Sequence, residues 1–459
     1  MKRLLLALAF ILIPLAVIAQ QADIVGDIVG EQRDPRIAVP DIRGAVGVEG
    51  AVGADSESAF NNTLWDDLEA SGRLDMVTKS FYPRTAPRRP EDLQFDGATM
   101  PSDLGAAGLW ARGWSEPPVT ARYLVLGSLE KVNDRLVLNG WLYDATQESA
   151  AAAYVFGKRY YGDLTPDGAE RIAHDFSRDI LQNLGLGTGL AGTRIYFTSN
   201  QSGHEEIWSM DYDGGNPKQH TFYKNISLFP AVSPDGTRLA FTTFVEGTPK
   251  IYVHSLETGR KLTFYNQESS LNTTPAFTPD GRSILYASSI TGHSQIYMAD
   301  LDGGNLRRIS YSGSIDVHPA VNPKTGAQLA FVSGRSGLPQ VYLMDMDGAN
   351  VRRLSLGGGD AVQPAWDPQG ENVAFAWTRG FEPGNYNLFV LNAATQNLVQ
   401  LTHGAGRNEH PTWSPSGTHL TFTSDRSGGT QIYTMRADGT QLRPLTTRGR
   451  SRFPFWATR

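Results

Sequence analysis

The chain has nine histidines and no cysteine in 459 residues, so any metal or acid–base chemistry must use imidazoles and carboxylates. Two imidazoles stand out by position. His318 and His410 each sit one residue before a proline, in Asp316-Val317-His318-Pro319 and Asn408-Glu409-His410-Pro411. With Glu409 adjacent, the pair could hold a divalent cation if the fold brought both to one place. Solvated loop residues and a contact surface are the other readings of the same pair. Elsewhere there is no Gly-x-Ser-x-Gly elbow, no His-Glu-x-x-His pair and no phosphate-binding glycine loop. Asp211-Tyr212-Asp213-Gly214 and Asp300-Leu301-Asp302-Gly303 open like calcium loops, but their twelfth positions are Phe222 and Tyr311. Such a loop needs a bidentate glutamate there. Hairpin turns explain both stretches better.

What would position the two histidines is a repeat. Phe229–Phe241 reads FPAVSPDGTRLAF, and near copies follow as TPAFTPDGRSILY from Thr274 and HPTWSPSGTHLTF from His410. The opening proline recurs as Pro230, Pro275, Pro319, Pro364, Pro411 and Pro454, at intervals of 45, 44, 45, 47 and 43 residues. An aliphatic–aromatic pair keeps the same rhythm, from Ile207-Trp208 to Ile432-Tyr433.

Each unit reads as four short strands. The proline strand ends in a Ser-Pro-Asp-Gly turn, where proline and glycine suit the second and fourth positions. A short aromatic strand, a variable loop, a third strand, an Asp-Gly turn and a fourth strand ending near Leu-Thr follow. Four antiparallel strands per unit, with no helical period, predict an all-β six-bladed propeller over 190–459. Gly192–Ser199 matches a second strand with no proline strand before it, whereas Pro454–Trp456 is a first strand alone. These two should pair and close the ring.

Residues 35–186 follow a different pattern and predict a small α/β domain. Ile37-Ala38-Val39 reads as a buried strand, and Ser56–Ser71 as a helix carrying Phe60, Leu64 and Leu68 on one face. Tyr123–Leu126 and Arg135–Trp141 read as strands around an Asn133-Asp134 turn, with Ala153–Tyr161 as a third. Thr165-Pro166-Asp167-Gly168 repeats the blade turn, yet Ile172, Ala173, Phe176, Ile180 and Leu184 follow at helical spacing. Thr165 therefore reads as an N-cap and Pro166 as the first helical residue. The glycine-rich Gly185–Gly192 joins this domain to the ring.

Residues 1–19 read as a signal peptide: Lys2-Arg3, an uncharged Leu4–Ile18 interrupted by Pro14, and Val17-Ile18-Ala19 before cleavage at Gln20. A retained anchor is the alternative. Residues 20–34 lack sustained apolar alternation and read as a mobile segment. Export without cysteine means no disulfides and no thiol for a lipid anchor, which suits a bacterial periplasm. The net charge of -6 gives no footprint for nucleic acid.

Counting strand reversals gives the ring two unlike faces. The tight Ser-Pro-Asp-Gly and Asp-Gly turns share one; the longer inter-blade and second-to-third-strand loops share the other, where binding concentrates in repeat scaffolds. Asn272, Thr274, Asp316, His318, Gln363, Arg407, Glu409 and His410 lie within four residues before a blade proline. They are expected in inter-blade loops, ringing the axis on the long-loop face as a polar protein-binding surface.

The phrases PAxSPDGxxLAF, SDRSGxxQIY and DxDGGNxxRLT, preceded by an export signal and a small α/β domain, resemble the TolB family of the Tol–Pal envelope system. That resemblance implies a binding protein without catalysis, cofactor or metal, acting as a monomer in envelope integrity, cell division and protein import. It implies a Pal-like peptidoglycan-associated lipoprotein at one channel mouth and a TolA-like inner-membrane protein at residues 20–34. Leu271 and Val317 are apolar where familiar members place polar Pal contacts. The rival class is an exported propeller enzyme: a metal-dependent lyase would need convergent histidines, and a peptidase an added hydrolase domain.

Overall fold

A computed structural model describes residues 34–44, 52–95, 107–187, 189–379 and 384–458. The expected signal peptide and nearly all of segment 20–34 lie outside them. Pro35–Arg459 form a single compact unit, so the glycine-rich connection does not separate two independent bodies.

The α/β part is built on a five-stranded sheet. Its strands are β1 (Arg36–Ala38), β2 (Asp75–Met76), β3 (Tyr123–Val132), β4 (Arg135–Asp144) and β5 (Tyr154–Asp163), in the order β2-β1-β3-β4-β5. β1 runs parallel to β2 and β3, whereas β3, β4 and β5 are antiparallel. Asn133 and Asp134 both take positive φ (49° and 58°), the conformation that a two-residue hairpin needs to match strand twist. Helices Ala54–Ala70 and Pro166–Asn183 bury Phe60, Leu64, Leu68, Ile172, Phe176 and Ile180 against one face. Thr165 caps the second helix by accepting from the Gly168 amide at 3.1 Å.

Among the described residues, six four-stranded antiparallel sheets form the ring. Blade 1 combines Arg194–Ser199, Glu206–Asp211 and Lys218–Gln219 with Ser451–Ala457, the closure expected from the two orphaned half-units. The other innermost strands are Ser227–Val232, Asn272–Phe277, Asp316–Val321, Ala361–Trp366 and Asn408–Trp413.

The repeated phrases have physical reasons. In the blade 2 turn, Gly236 N donates to Ser233 O at 2.8 Å, and Asp235 accepts from the Thr237 amide and the Ser233 hydroxyl. These bonds hold the Asp235 carboxyl below its usual range. Turn prolines then interlock around the ring: Pro234 packs 3.6 Å from where a Cβ would stand on Gly281. The Leu-Thr ending serves the next strand inward. Thr221, Ser310, Ser355, Thr402 and Thr446 each accept, through the side-chain oxygen, the second amide of their blade's third strand.

Candidate functional site

Every innermost strand carries a register shift at its proline. The residue before that proline is left-handed in all six: Phe229, Thr274, His318, Gln363, His410 and Phe453, with φ of 51–57°. Residues before proline ordinarily stay extended, and bulky side chains avoid this region at a cost of order 1–3 kcal/mol. The bulge turns one side chain per blade toward the axis. There the Phe229 and Phe453 rings lie 4.3 Å apart, His410 stands 4.5 Å from Phe453, and His318 stands 5.7 Å from Phe229. Rings from blades 1, 2, 4 and 6 thus meet across the axis.

Together the six floor a cavity of about 520 Å³. Its walls are the far ends of the inner strands and the turn prolines Pro234, Pro279, Pro323, Pro368 and Pro415, so it opens on the tight-turn face. Four of the eight expected residues, Thr274, His318, Gln363 and His410, line it. Their expected place on the long-loop face is corrected: two strand residues, such as Asp316-Val317, separate the ring from that face.

The other four do not reach the axial cavity. Asn272 and Asp316 are fully buried at the starts of their strands, because the first residue of an inner strand turns under the incoming loop. Asn272 donates to Gln267 O at 3.0 Å. Asp316 accepts from Ser312 at 2.9 Å and pairs with Arg335 at 3.3 Å. Arg407 stands in the loop before blade 6, 3.2 Å from Glu409, and His410 lines the cavity whereas Glu409 does not. Only Arg407 of the eight lies outside a strand; the expectation that all occupy loops is corrected accordingly.

Electrostatically the axis is neutral. Burial lowers the His318 pKa to about 4, and the His410 pKa falls well below its ordinary value through burial and the nearby His318, Arg452 and Arg407. Burial raises the Glu409 carboxyl, against the pull of Arg407. His318 Nε2, His410 Nδ1 and Thr274 Oγ1 are buried without a hydrogen-bond partner. Among the described residues, no three ligating side chains converge as a metal site. The Asp-Gly turns close on themselves, Asp213 and Asp302 accepting from the amides two residues ahead at 2.9 and 2.8 Å.

The long-loop face is divided. On blades 2–4, Ile226 and Ile315 (before inner strands) and Val245, Ile290 and Leu338 (in second-to-third-strand loops) are exposed, Ile315 and Leu338 by 54% each. On blades 6 and 1 the residue before the inner strand is charged instead: Arg407, which pairs with Glu409 at 3.2 Å, and Arg450, which with Arg452 meets Glu205 at 2.5 and 2.7 Å.

Sequence reasoning missed a buried network between the α/β part and blade 1. Asp67 accepts from Ser177 Oγ at 2.5 Å and from Tyr212 Oη at 2.7 Å, and meets His174 Nδ1 at 2.9 Å. Asp67 and His174 belong to the two helices, and Tyr212 to the Asp-Gly turn of blade 1. No local signal marks them, since the partners lie 107–145 residues apart.

A family model described as "TolB beta propeller domain" matches residues 182–380 and 358–459. A protein TolB homolog of Chlorobium chlorochromatii is 36% identical over 150 residues, 33% of each chain. A Tol-Pal system protein TolB of Desulfosudis oleivorans is 30% identical over 228 residues, 50% of this chain and 47% of that one. These matches span at most half of either curated relative. The crystal structure of TolB from Acinetobacter baumannii superposes with a TM-score of 0.70 at 24% identity, over 93% of this chain and 97% of that one, a likeness of fold. With six blades in the ring and the family model covering more than half of the chain, it belongs to the TolB β-propeller family.

Proposed function

We propose that this chain is a non-enzymatic, protein-binding component of a Tol–Pal-type envelope system, exported to the periplasm. In this reading the long-loop face of the ring holds a Pal-like peptidoglycan-associated lipoprotein. Residues 20–34 engage a TolA-like inner-membrane protein, coupling the two membranes for envelope integrity and cell division. The observation that carries the reading is the divided face. Exposed aliphatic residues on blades 2–4, beside paired charges on blades 6 and 1, offer the apolar centre and polar rim of a protein interface.

The axis supports binding rather than chemistry. Its two imidazoles are neutral, and the carboxylate beside His410 is engaged by Arg407. Neither His318 Nε2 nor His410 Nδ1 is hydrogen-bonded to a hydroxyl, the pairing that activates a nucleophile for hydrolysis. Family membership and the propeller fold favour the same reading. Affinity capture from detergent-solubilised envelope tests it. The full chain should retain a Pal-type lipoprotein and a TolA-type protein, and a chain lacking residues 20–34 only the lipoprotein. Capture of neither would overturn the proposal.

A further inference from the structure

The α/β part holds a second cavity, of about 360 Å³, that the propeller reading does not use. It lies between the segment after β1, residues 40–43, and the loop 79–88, with Trp114 and Val125 beneath. Four cations line it: Arg43, Lys79, Arg84 and Arg88. The one carboxylate among its lining residues is Asp41, and Lys79 takes it at 2.5 Å. Among the described residues, no ion pair is made by Arg43, Arg84 or Arg88. The Arg88 guanidinium donates to the neutral carbonyl of Gly44 at 3.3 Å, and its backbone amide donates to the Asp92 carboxylate at 3.0 Å. Three guanidinium groups without an ion pair among the described residues therefore share one concavity in a protein of net charge -6.

Two aromatic polar groups of the pocket are already engaged. The Tyr82 hydroxyl donates to Val77 O and accepts from the Val39 amide, each at 2.8 Å. Burial pushes its pKa up to about 12, so it stays a neutral phenol. The Trp114 indole donates to Gly108 O at 2.8 Å. Free donors are thus concentrated on the guanidinium forks. Pro40, Pro83 and Pro87 stiffen the walls, which lowers the ordering cost of closing on a ligand.

We infer that this pocket binds a phosphoryl group, carried either by a lipid headgroup or by a soluble compound. Planar guanidinium forks match phosphoryl oxygens two at a time, and three of them suit a multiply charged oxyanion better than a single carboxylate. The volume exceeds that of one phosphate and lies in the range of small-ligand pockets, leaving room for a diphosphate or the polar part of a headgroup.

Calorimetry on the full chain with inorganic pyrophosphate tests this. Binding should be saturable, weaken at least about tenfold in Arg84→Ala/Arg88→Ala, and remain unchanged in Arg282→Ala on a propeller turn. Thermal melting of each variant separates lost binding from lost folding. Sedimentation with phosphatidylglycerol vesicles identifies the source: binding lost in the double variant assigns a lipid headgroup, and pyrophosphate binding alone assigns a soluble ligand. Absent or non-saturable pyrophosphate binding, an equal loss in Arg282→Ala, or vesicle binding that survives the double variant would overturn the inference.

Discussion

The indole nitrogen of Trp456 donates to the Thr193 hydroxyl at 2.9 Å, joining residues 263 positions apart. This bond fastens the strand Ser451–Ala457 to the segment that enters the ring. Trp456 is buried in the same cluster as Ile195, Phe197 and Leu445, so closing the ring and building its core are one event.

Trp456→Ala should therefore cost about 3–5 kcal/mol, in line with buried tryptophan truncations. Deleting residues 453–459 should cost more, because it also bares the edge of Arg194–Ser199. Thermal melting of both variants checks this, and an unchanged midpoint for the truncation would sink the closure argument.

A second prediction follows from Asp316 and Arg335. The carboxylate is fully buried, and the guanidinium lies over the Phe331 and Tyr342 rings at 5.3 and 5.0 Å. Asn408 and Arg426 repeat the arrangement in blade 6, which gives the repeated Arg-Ser-Gly phrase a structural purpose. Removing one partner of a buried pair leaves a charge stranded. Arg335→Ala should cost about 3–5 kcal/mol, and adding Asp316→Asn should recover part of it. Urea unfolding of the single and double variants measures the coupling; strict additivity would contradict it.

The network between the α/β part and blade 1 predicts a pH dependence. Burial opposes charge on His174, but Asp67 at 2.9 Å, with Asp213 and Asp211 beyond, outweighs it and lifts the pKa from 6.5 to about 9. A raised folded pKa gives stability that is complete below the unfolded value and lost as pH rises through the folded one. Stability should fall between about pH 6.5 and 9, and His174→Gln should flatten that slope. Tyr212→Phe, which removes one bond to Asp67, should cost about 1–3 kcal/mol. Denaturation curves across that window decide the matter; an identical slope in His174→Gln would contradict it.

The repeat was legible because its markers are local. A turn proline, its glycine and a Leu-Thr ending each satisfy bonds within one blade or its neighbour, so six copies leave a readable period. The axial ring was not legible. Phe229, Thr274, Gln363 and Phe453 are residue types that seldom take left-handed backbone. Amides of the ring are held by side chains of neighbouring blades, as Thr274 by Thr242 and His410 by Gln363, 32 and 47 residues away. Asn272 and Asp316, as first residues of their strands, hold the incoming loops instead of facing a partner. Gly185–Gly192 reads only as a linker, yet the Asp67–Tyr212 contact crosses between the two parts, and no spacing in the sequence announces it.

The central claim, that the long-loop face is the partner surface, is tested most directly by calorimetry of a Pal-type lipoprotein against two pairs of variants. Ile315→Asp with Leu338→Asp places charge on the exposed aliphatic side of that face. Asp235→Asn with Asp302→Asn alters only the tight turns opposite. Binding should weaken at least about tenfold for the first pair, since charges at the centre of an interface are costly, and stay unchanged for the second. Intact binding in the first pair with loss in the second would place the partner on the tight-turn face and contradict the account.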